Sequence, residues 1–429
     1  MRNGLEPNHK RAAGYKPQTL QFCRTCQNRE PLILVLTSVD DAVTQLLALA
    51  KPTMREGELE LDMALGGVCA ENISSEIDVP AFDNSAMDGF AGCWEDITVG
   101  QKYEVSDRIA AGKSPGPLVK GSLARIFTGA PLPEGADTVI IQEHVELSGN
   151  LALVHRRPDQ FSNIRKRGHD IKSGSIIISK GEFLSSIAIA LLGSIGREKV
   201  RVKKPLVVSI FSTGDELVLP GNPLEQGQIY NSNRFLMYGL LKQMGMEVLD
   251  LGIVPDKVSE TVKVLSEASE KSDLIISSGG VSVGEEDHVK SAVEAIGSIN
   301  MWKVAMKPGK PVAFGTIKKK PFLGLPGNPV STFVSFCVFV KPFLKAMQGF
   351  NEVQEKEYMA LSTFDVHGGS RREYLRARYR IEKGKILVDK YENQGSSLLS
   401  SVYWANSLAI VDPGEKIEIG DQIKILILD

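Results

Sequence analysis

The sequence predicts a multidomain α/β protein built around a central doubly wound, mostly parallel α/β domain at residues 205–350. Three observations carry this reading. Between 205 and 350, short apolar runs rich in Val and Ile alternate with helical stretches, as expected of strands buried on both faces. On either side the text changes to short alternating strands broken by turn residues, which predicts small β domains. Finally, each apolar run in 205–350 stops at Gly or Pro mixed with charged or hydroxyl residues. In open α/β sheets that carboxyl edge is where ligands bind.

The elements follow in order. Val39 to Leu49 has the spacing of an amphipathic helix with Asp40 or Asp41 near its start. The next stretch, "MREGELELDMALGGVCAENI", is expected to continue that helical region. "EIDVPAFDNSAMDGFA" is a loop crowded with polar side chains, and the text to about Arg167 reads as a small β-rich domain. Ser185 to Gly196 is a helix. From Pro205, "PLVVSIF", "EVLDLGIV", "DLIISS", "NMWKVAM", "PVAFGTI" and "PFLGLPG" read as strands, with helices at Ser232–Gly245, "VSETVKVLSEASEKS" and "HVKSAVEAIG". The last helix, "PVSTFVSFCVFVKPFLKAM", should be interrupted or kinked near Pro342. "REYLRARYRIEKGKILVDKYE" and "KIEIGDQIKILIL" predict a C-terminal β-barrel-like domain. The expected partition is an extension at 1–35, expected to be disordered, and a helical linker or dimerisation domain of 36–75 plus 168–204. A β-rich lid domain at 76–167, the α/β domain at 205–350 and the C-terminal β domain at 351–429 complete it.

Composition narrows function. With 42% hydrophobic residues, 24% charged residues and a net charge of −2, the chain is of ordinary globular type. No basic excess suggests nucleic acid, and apolar runs such as Ser331 to Val340 are shorter than the roughly 20 residues of a membrane span. No charged segment followed by an apolar run opens the chain, and the five cysteines are mostly scattered, so a cytoplasmic location is expected. Cys23 and Cys26 form the one close pair, at most half of a zinc site, and are assigned no catalytic role. The six histidines show no zinc-hydrolase or triad spacing.

The loops after the strands hold the chemistry. They carry Thr213, Gly214, Asp215 and Glu216; Asp256; Gly279, Gly280, Ser282 and Asp287; Lys307 and Lys310; and Pro326, Gly327, Asn328, Pro329 and Ser331. Helix capping would explain a single Asp or Ser, such as Asp287, but not paired glycines or two lysines around one Pro-Gly. Glycines let backbone N–H groups approach an anion, and lysines add charge. Acids on the same rim require a divalent cation between them and the anion, and Mg²⁺ with oxygen ligands fits. The predicted ligand is therefore a phosphate-bearing molecule bound with Mg²⁺. A further polar cluster contains Asp83, Asn84, Ser85 and Asp88; the arginines at 371, 372, 376 and 378 read as a solvated basic face.

Eight segments in order, "DVPAFDNSAMDGFA", "IFTGAPLPEGADTVI", "KRGHDIKSG", "FSTGDELV", "GQIYNSNR", "DLIISSGGVSVGEEDHVK", "MKPGKPVAFG" and "GLPGNPVS", resemble the MoeA family of molybdopterin molybdenumtransferases, which includes the E domain of gephyrin. The resemblance runs from about Val39 to the C-terminus. It implies that 205–350 is of the molybdopterin-binding type. It also implies Mg²⁺-dependent insertion of molybdate into adenylylated molybdopterin with release of AMP, in an elongated homodimer whose cleft combines the α/β domain of one copy with the "DNSAMDG" domain of the other. Expected partners besides the substrate are the adenylyltransferase and recipient molybdoenzymes. Carried over by motif, Asp88, Thr128, Asp170, Glu216, Asp256 and Asp287 are cleft residues, with Glu216, Asp256 and Asp287 as Mg²⁺ ligands and Asp88, Glu216, Asp287 and Lys307 as the catalytic set. Arg371, with Ser396 or Ser397, matches the molybdate side of the site.

Three positions depart from the family pattern: Phe90 stands where a Tyr is usual, His288 follows the loop Asp, and Arg371-Arg372-Glu373 replaces "RPE". None removes a carboxylate or a lysine. Two alternatives share the fold. One is a molybdopterin adenylyltransferase, whose loop would read "GGTG" rather than "GGVSVG". The other is a catalytically silent scaffold, which would not need the acids and lysines kept here.

Overall fold

The computed structural model describes residues 36–280, 288–309 and 311–428. Cys23, Cys26, Ser282, Asp287 and Lys310 lie outside the described residues. The chain divides into the units 1–36 and 37–429, and the elements below belong to the second.

The α/β layer is a six-stranded sheet. From one edge it runs Glu247–Val254, Val207–Thr213, Leu274–Ser278, Lys320–Leu325, Pro311–Ile317 and Gly297–Lys303. The first three pairings are parallel and the last two antiparallel, which gives the mostly parallel sheet expected. The inner parallel strands are buried on both faces, so they read as apolar runs rather than alternation, while the edge strand Glu247–Val254 is only half-buried. One face packs Met237 and Leu241 of the Ser232–Gln243 helix with Phe333, Phe339 and Phe343. The other packs Leu265, Val289 and Val293 from the Val258–Lys271 and His288–Ile296 helices.

Pro329–Gln348 is one continuous helical run, and Phe336–Val340 within it is widened to a π-helical turn. Pro342 explains this: it has no N–H to donate to the carbonyl one turn back. The run is longer than the apolar stretch read from sequence, and by length and composition it could cross a membrane. However, 78% of its apolar window is buried in this core, as in the core helix of a globular protein. Gly349 stops it in the left-handed conformation.

The expected helical continuation after Leu49 is not found. Glu56–Glu60 is a strand paired antiparallel with Lys199–Lys203, which puts Glu56, Glu58 and Glu60 opposite Lys203, Arg201 and Lys199. Cross-strand charge complement outweighs the helix propensity of glutamate here. Gly66 and Gly67 then interrupt the segment. The Val39–Ala48 helix is capped by Ser38, whose hydroxyl accepts from Asp41 N–H, and Asp40 and Asp41 lie in its first turn as expected.

Residues 89–154 form a second six-stranded sheet. The C-terminal part forms a third, in which Arg372–Glu382 pairs with both Lys385–Lys390 and Ser407–Val411 and closes the sheet. A short helix, Leu399–Trp404, lies against it and was not expected. The solvated basic face is not found either. Arg376 is only 1% exposed, and Arg372 pairs with Asp40 (2.7 Å) and Asp412 (2.6 Å).

Candidate functional site

The strand-end loops converge on one cavity of about 820 Å³. Thr213, Gly214 and Glu216 reach it from the end of Val207–Thr213, and Asp256 from the loop after Glu247–Val254. Gly279 and Gly280 follow Leu274–Ser278, and Pro326, Gly327 and Asn328 follow Lys320–Leu325. Lys307 and, from the first turn of the long helix, Ser331 complete this side. The opposite wall comes from the C-terminal part, with Arg371, Gln394, Gly395 and Ser396.

Local geometry fixes these loops. Gly279 and Gly280 have φ of +90° and +65°. A Cβ on Gly279 would lie 2.8 Å from the Thr213 carbonyl oxygen, and one on Gly280 would lie 2.3 Å from a Val289 methyl. Only glycine fits this turn, so the backbone approaches the cavity without a side chain in the way. Beneath it, the buried Ser212 and Ser278 hydroxyls meet at 2.9 Å. Asn233 donates from Nδ2 to the Gly327 carbonyl at 2.6 Å, and Thr332 donates from its hydroxyl to the Pro326 carbonyl at 2.6 Å. Asn328 makes no side-chain capping bond, so capping does not account for it.

The walls are stitched by Met306–Lys307, a two-residue strand paired in parallel with Arg372 and Glu373. Arg371 donates from Nη1 to the Met306 carbonyl at 3.0 Å, and Val330 N–H donates to the Ser396 carbonyl at 3.1 Å. Lys307 is half-exposed and pairs with Glu373 at 3.1 Å. Glu216 and Asp256 line the same cavity and make no ion pair among the described residues. The cavity thus presents two carboxylates and two cations to one ligand.

Other expected site residues lie elsewhere. Asp215 is exposed, and neither it, Pro329 nor Ser397 lines the cavity. Pro329 occupies the first helical turn, where its fixed φ suits the helix start. Asp88, Thr128 and Asp170 are also absent from the lining. Asp88 accepts from the N–H (2.8 Å) and hydroxyl (2.9 Å) of Thr128, and those bonds hold its carboxyl below the usual range. Phe90, where a Tyr is usual, is buried under the Arg125 guanidinium.

Sequence reasoning missed Asn233, Gln394 and Gly395. Asn233 lies inside the quoted "GQIYNSNR", where it passed for a helix start; the loop at 394–395 gives no local signal. Arg371, not Arg372, reaches the cavity, because Arg372 is used by its two aspartates.

Three profiles match in order. The MoeA N-terminal region (domain I and II) covers 37–196, the probable molybdopterin binding domain covers 209–346, and the MoeA C-terminal region (domain IV) covers 360–428. A Haemophilus influenzae protein named molybdopterin molybdenumtransferase is 39% identical over 386 residues, 88% of this chain and 95% of its own. The chain belongs to the MoeA family. A Nostoc member with the same name is 34% identical over 86% of this chain and 88% of its own. The crystal structure of the MoeA molybdopterin biosynthesis protein of Pyrococcus horikoshii superposes with a TM-score of 0.79 at 28% identity, over 92% of this chain and 100% of that one.

One prediction follows from the Asp88 geometry. Replacing Thr128 by Val removes the hydroxyl donor but leaves the backbone N–H, so the Asp88 titration should move part of the way up towards an ordinary aspartate near ~3.9. Carbon-detected NMR titration of the Asp88 carboxyl measures this, and an unmoved titration would mean that the hydroxyl contributes nothing.

Proposed function

We propose that this MoeA family member is a molybdopterin molybdenumtransferase, which inserts molybdate into adenylylated molybdopterin and releases AMP. The observation that carries this reading is the single cavity lined by Glu216, Asp256, Lys307 and Arg371 at the carboxyl edge of the sheet. Relatives at 39% and 34% identity bear that name.

The substrates are anionic at both reacting centres: a phosphoanhydride and a tetrahedral oxyanion. Lys307 and Arg371 supply positive charge to oxygens of molybdate and phosphate, and the glycine turn supplies close backbone approach. Arg371 beside Ser396 gives the planar fork and hydroxyl suited to an oxyanion. The two dithiolene sulfurs bond the molybdenum as molybdate oxygen leaves as water, and one water adds across the phosphoanhydride, so that AMP leaves and the pterin keeps its own phosphate. The same cations neutralise the charge that develops on the departing phosphate.

Glu216 and Asp256, two carboxylates without a cationic partner among the described residues, fit the oxygen donor set by which Mg²⁺ is held with substrate phosphates. Among the described residues they form no three-ligand cluster, and Asp287 is our choice for the third oxygen ligand. Bound Mg²⁺ would supply Lewis-acid polarisation of the phosphoanhydride. Because Asp88, Thr128 and Asp170 do not line this cavity, we further propose a homodimer in which the partner copy brings them to it. A cytoplasmic location belongs to the same reading, as do hand-over contacts with the adenylyltransferase and with recipient molybdoenzymes.

The test is a single-turnover reaction with adenylylated molybdopterin, Mg²⁺ and molybdate, following AMP. The expected result is molybdate-dependent AMP release, with the Mg²⁺ needed for half-maximal rate raised about tenfold or more in Glu216→Gln and Asp256→Asn. Tight binding without turnover would favour the scaffold. ATP-dependent adenylylation of molybdopterin would favour the adenylyltransferase.

The dimer has its own test. Asp88→Ala and the charge reversal Asp256→Lys should each be inactive, and co-refolded together they should recover roughly a quarter of wild-type activity, because half of the dimers are mixed and each has one intact cleft. No recovery would place both residues in one copy's site.

A further inference from the structure

Arg376 is the largest fully buried side chain of the described residues, at 1% exposure, and forms no ion pair among them. Its guanidinium meets only neutral oxygens. It donates to the Ser401 hydroxyl at 3.2 Å, to the Gly395 carbonyl at 3.1 Å and to the Tyr374 carbonyl at 3.5 Å. Its own backbone N–H and C=O are both bonded to the Gln394 carboxamide, at 2.9 and 3.0 Å. Gln394, Gly395 and Ser396 are the wall of the cavity that also holds Arg371.

Burying a cation without a counter-charge is costly, and proteins keep such groups where they serve a site. Burial pushes this guanidinium down to about 10, which still leaves it charged at neutral pH. A neutral side chain could fasten the loop more cheaply. The charge therefore needs its own explanation, and its bond to the Gly395 carbonyl ties it to the wall that an anionic ligand would meet.

We propose that Arg376 is a positioning residue for the anionic substrate: it holds the 394–396 wall in place and lends it uncompensated positive charge, acting through Gly395 rather than by touching the ligand. This rests on the transferase reading above and deepens it by assigning a second arginine to the oxyanion side.

The experiment is calorimetric titration of the full chain with molybdate and, separately, with inorganic phosphate, paired with KM and kcat for molybdate in the AMP-release reaction. Arg376→Lys keeps the charge and should bind both anions within about threefold of wild type. Arg376→Gln keeps a donor but loses the charge; it should bind molybdate about tenfold more weakly and raise KM with little change in kcat. Ser401→Asp keeps the guanidinium but sets a carboxylate beside it, and should show the same loss, so the test survives if Arg376→Gln does not fold. Wild-type affinity in a folded Arg376→Gln or in Ser401→Asp would overturn the proposal. If wild-type protein binds neither anion and releases no AMP, the transferase reading fails and this inference falls with it.

Discussion

The site depends on a very short piece of β pairing. Met306 and Lys307 run parallel to Arg372 and Glu373, and this joins the edge of the α/β sheet to the C-terminal sheet. Two residues of ladder are weak alone. They are reinforced by Lys307–Glu373, by the Arg371 guanidinium on the Met306 carbonyl, and by Arg372 bridging Asp412 to Asp40 on the Val39–Ala48 helix. Without this seam the loops after the strands would face open water. With it they face a wall that carries Arg371 and Ser396.

The seam also sets the electrostatics. Lys307 has one foot in the seam, through Glu373, and one side on the cavity. A ligand oxyanion therefore competes with Glu373 for the lysine rather than meeting a free ammonium. Arg371 is held differently, by a neutral carbonyl, and no carboxylate among the described residues pairs with it. An anion site built this way separates positioning, which Glu373 and Met306 provide, from charge, which the arginine provides.

Much of the α/β fold was legible because its signals are local. Val207–Thr213, Glu247–Val254 and Leu274–Ser278 read as buried strands from their apolar runs, and the loops after them read as a ligand edge from their glycines. The Glu56–Glu60 strand was not legible, because its reason is a chain of lysines and arginines some 140 residues away at 199–203. Gln394 and Gly395 gave no signal for the same kind of reason: they enter the site only through the closure of the C-terminal sheet. The choice between Arg371 and Arg372 was likewise decided by tertiary partners, two aspartates that no motif names.

The central claim is that one cavity, between the carboxyl edge of the sheet and the 394–396 wall, receives the oxyanion. Anomalous diffraction at the molybdenum edge from crystals equilibrated with molybdate tests it most directly. The account predicts a peak inside that cavity, within hydrogen-bonding reach of Arg371 and Ser396, that disappears in Arg371→Ala. A well-occupied peak elsewhere on the chain, or one that survives Arg371→Ala unchanged, would contradict it.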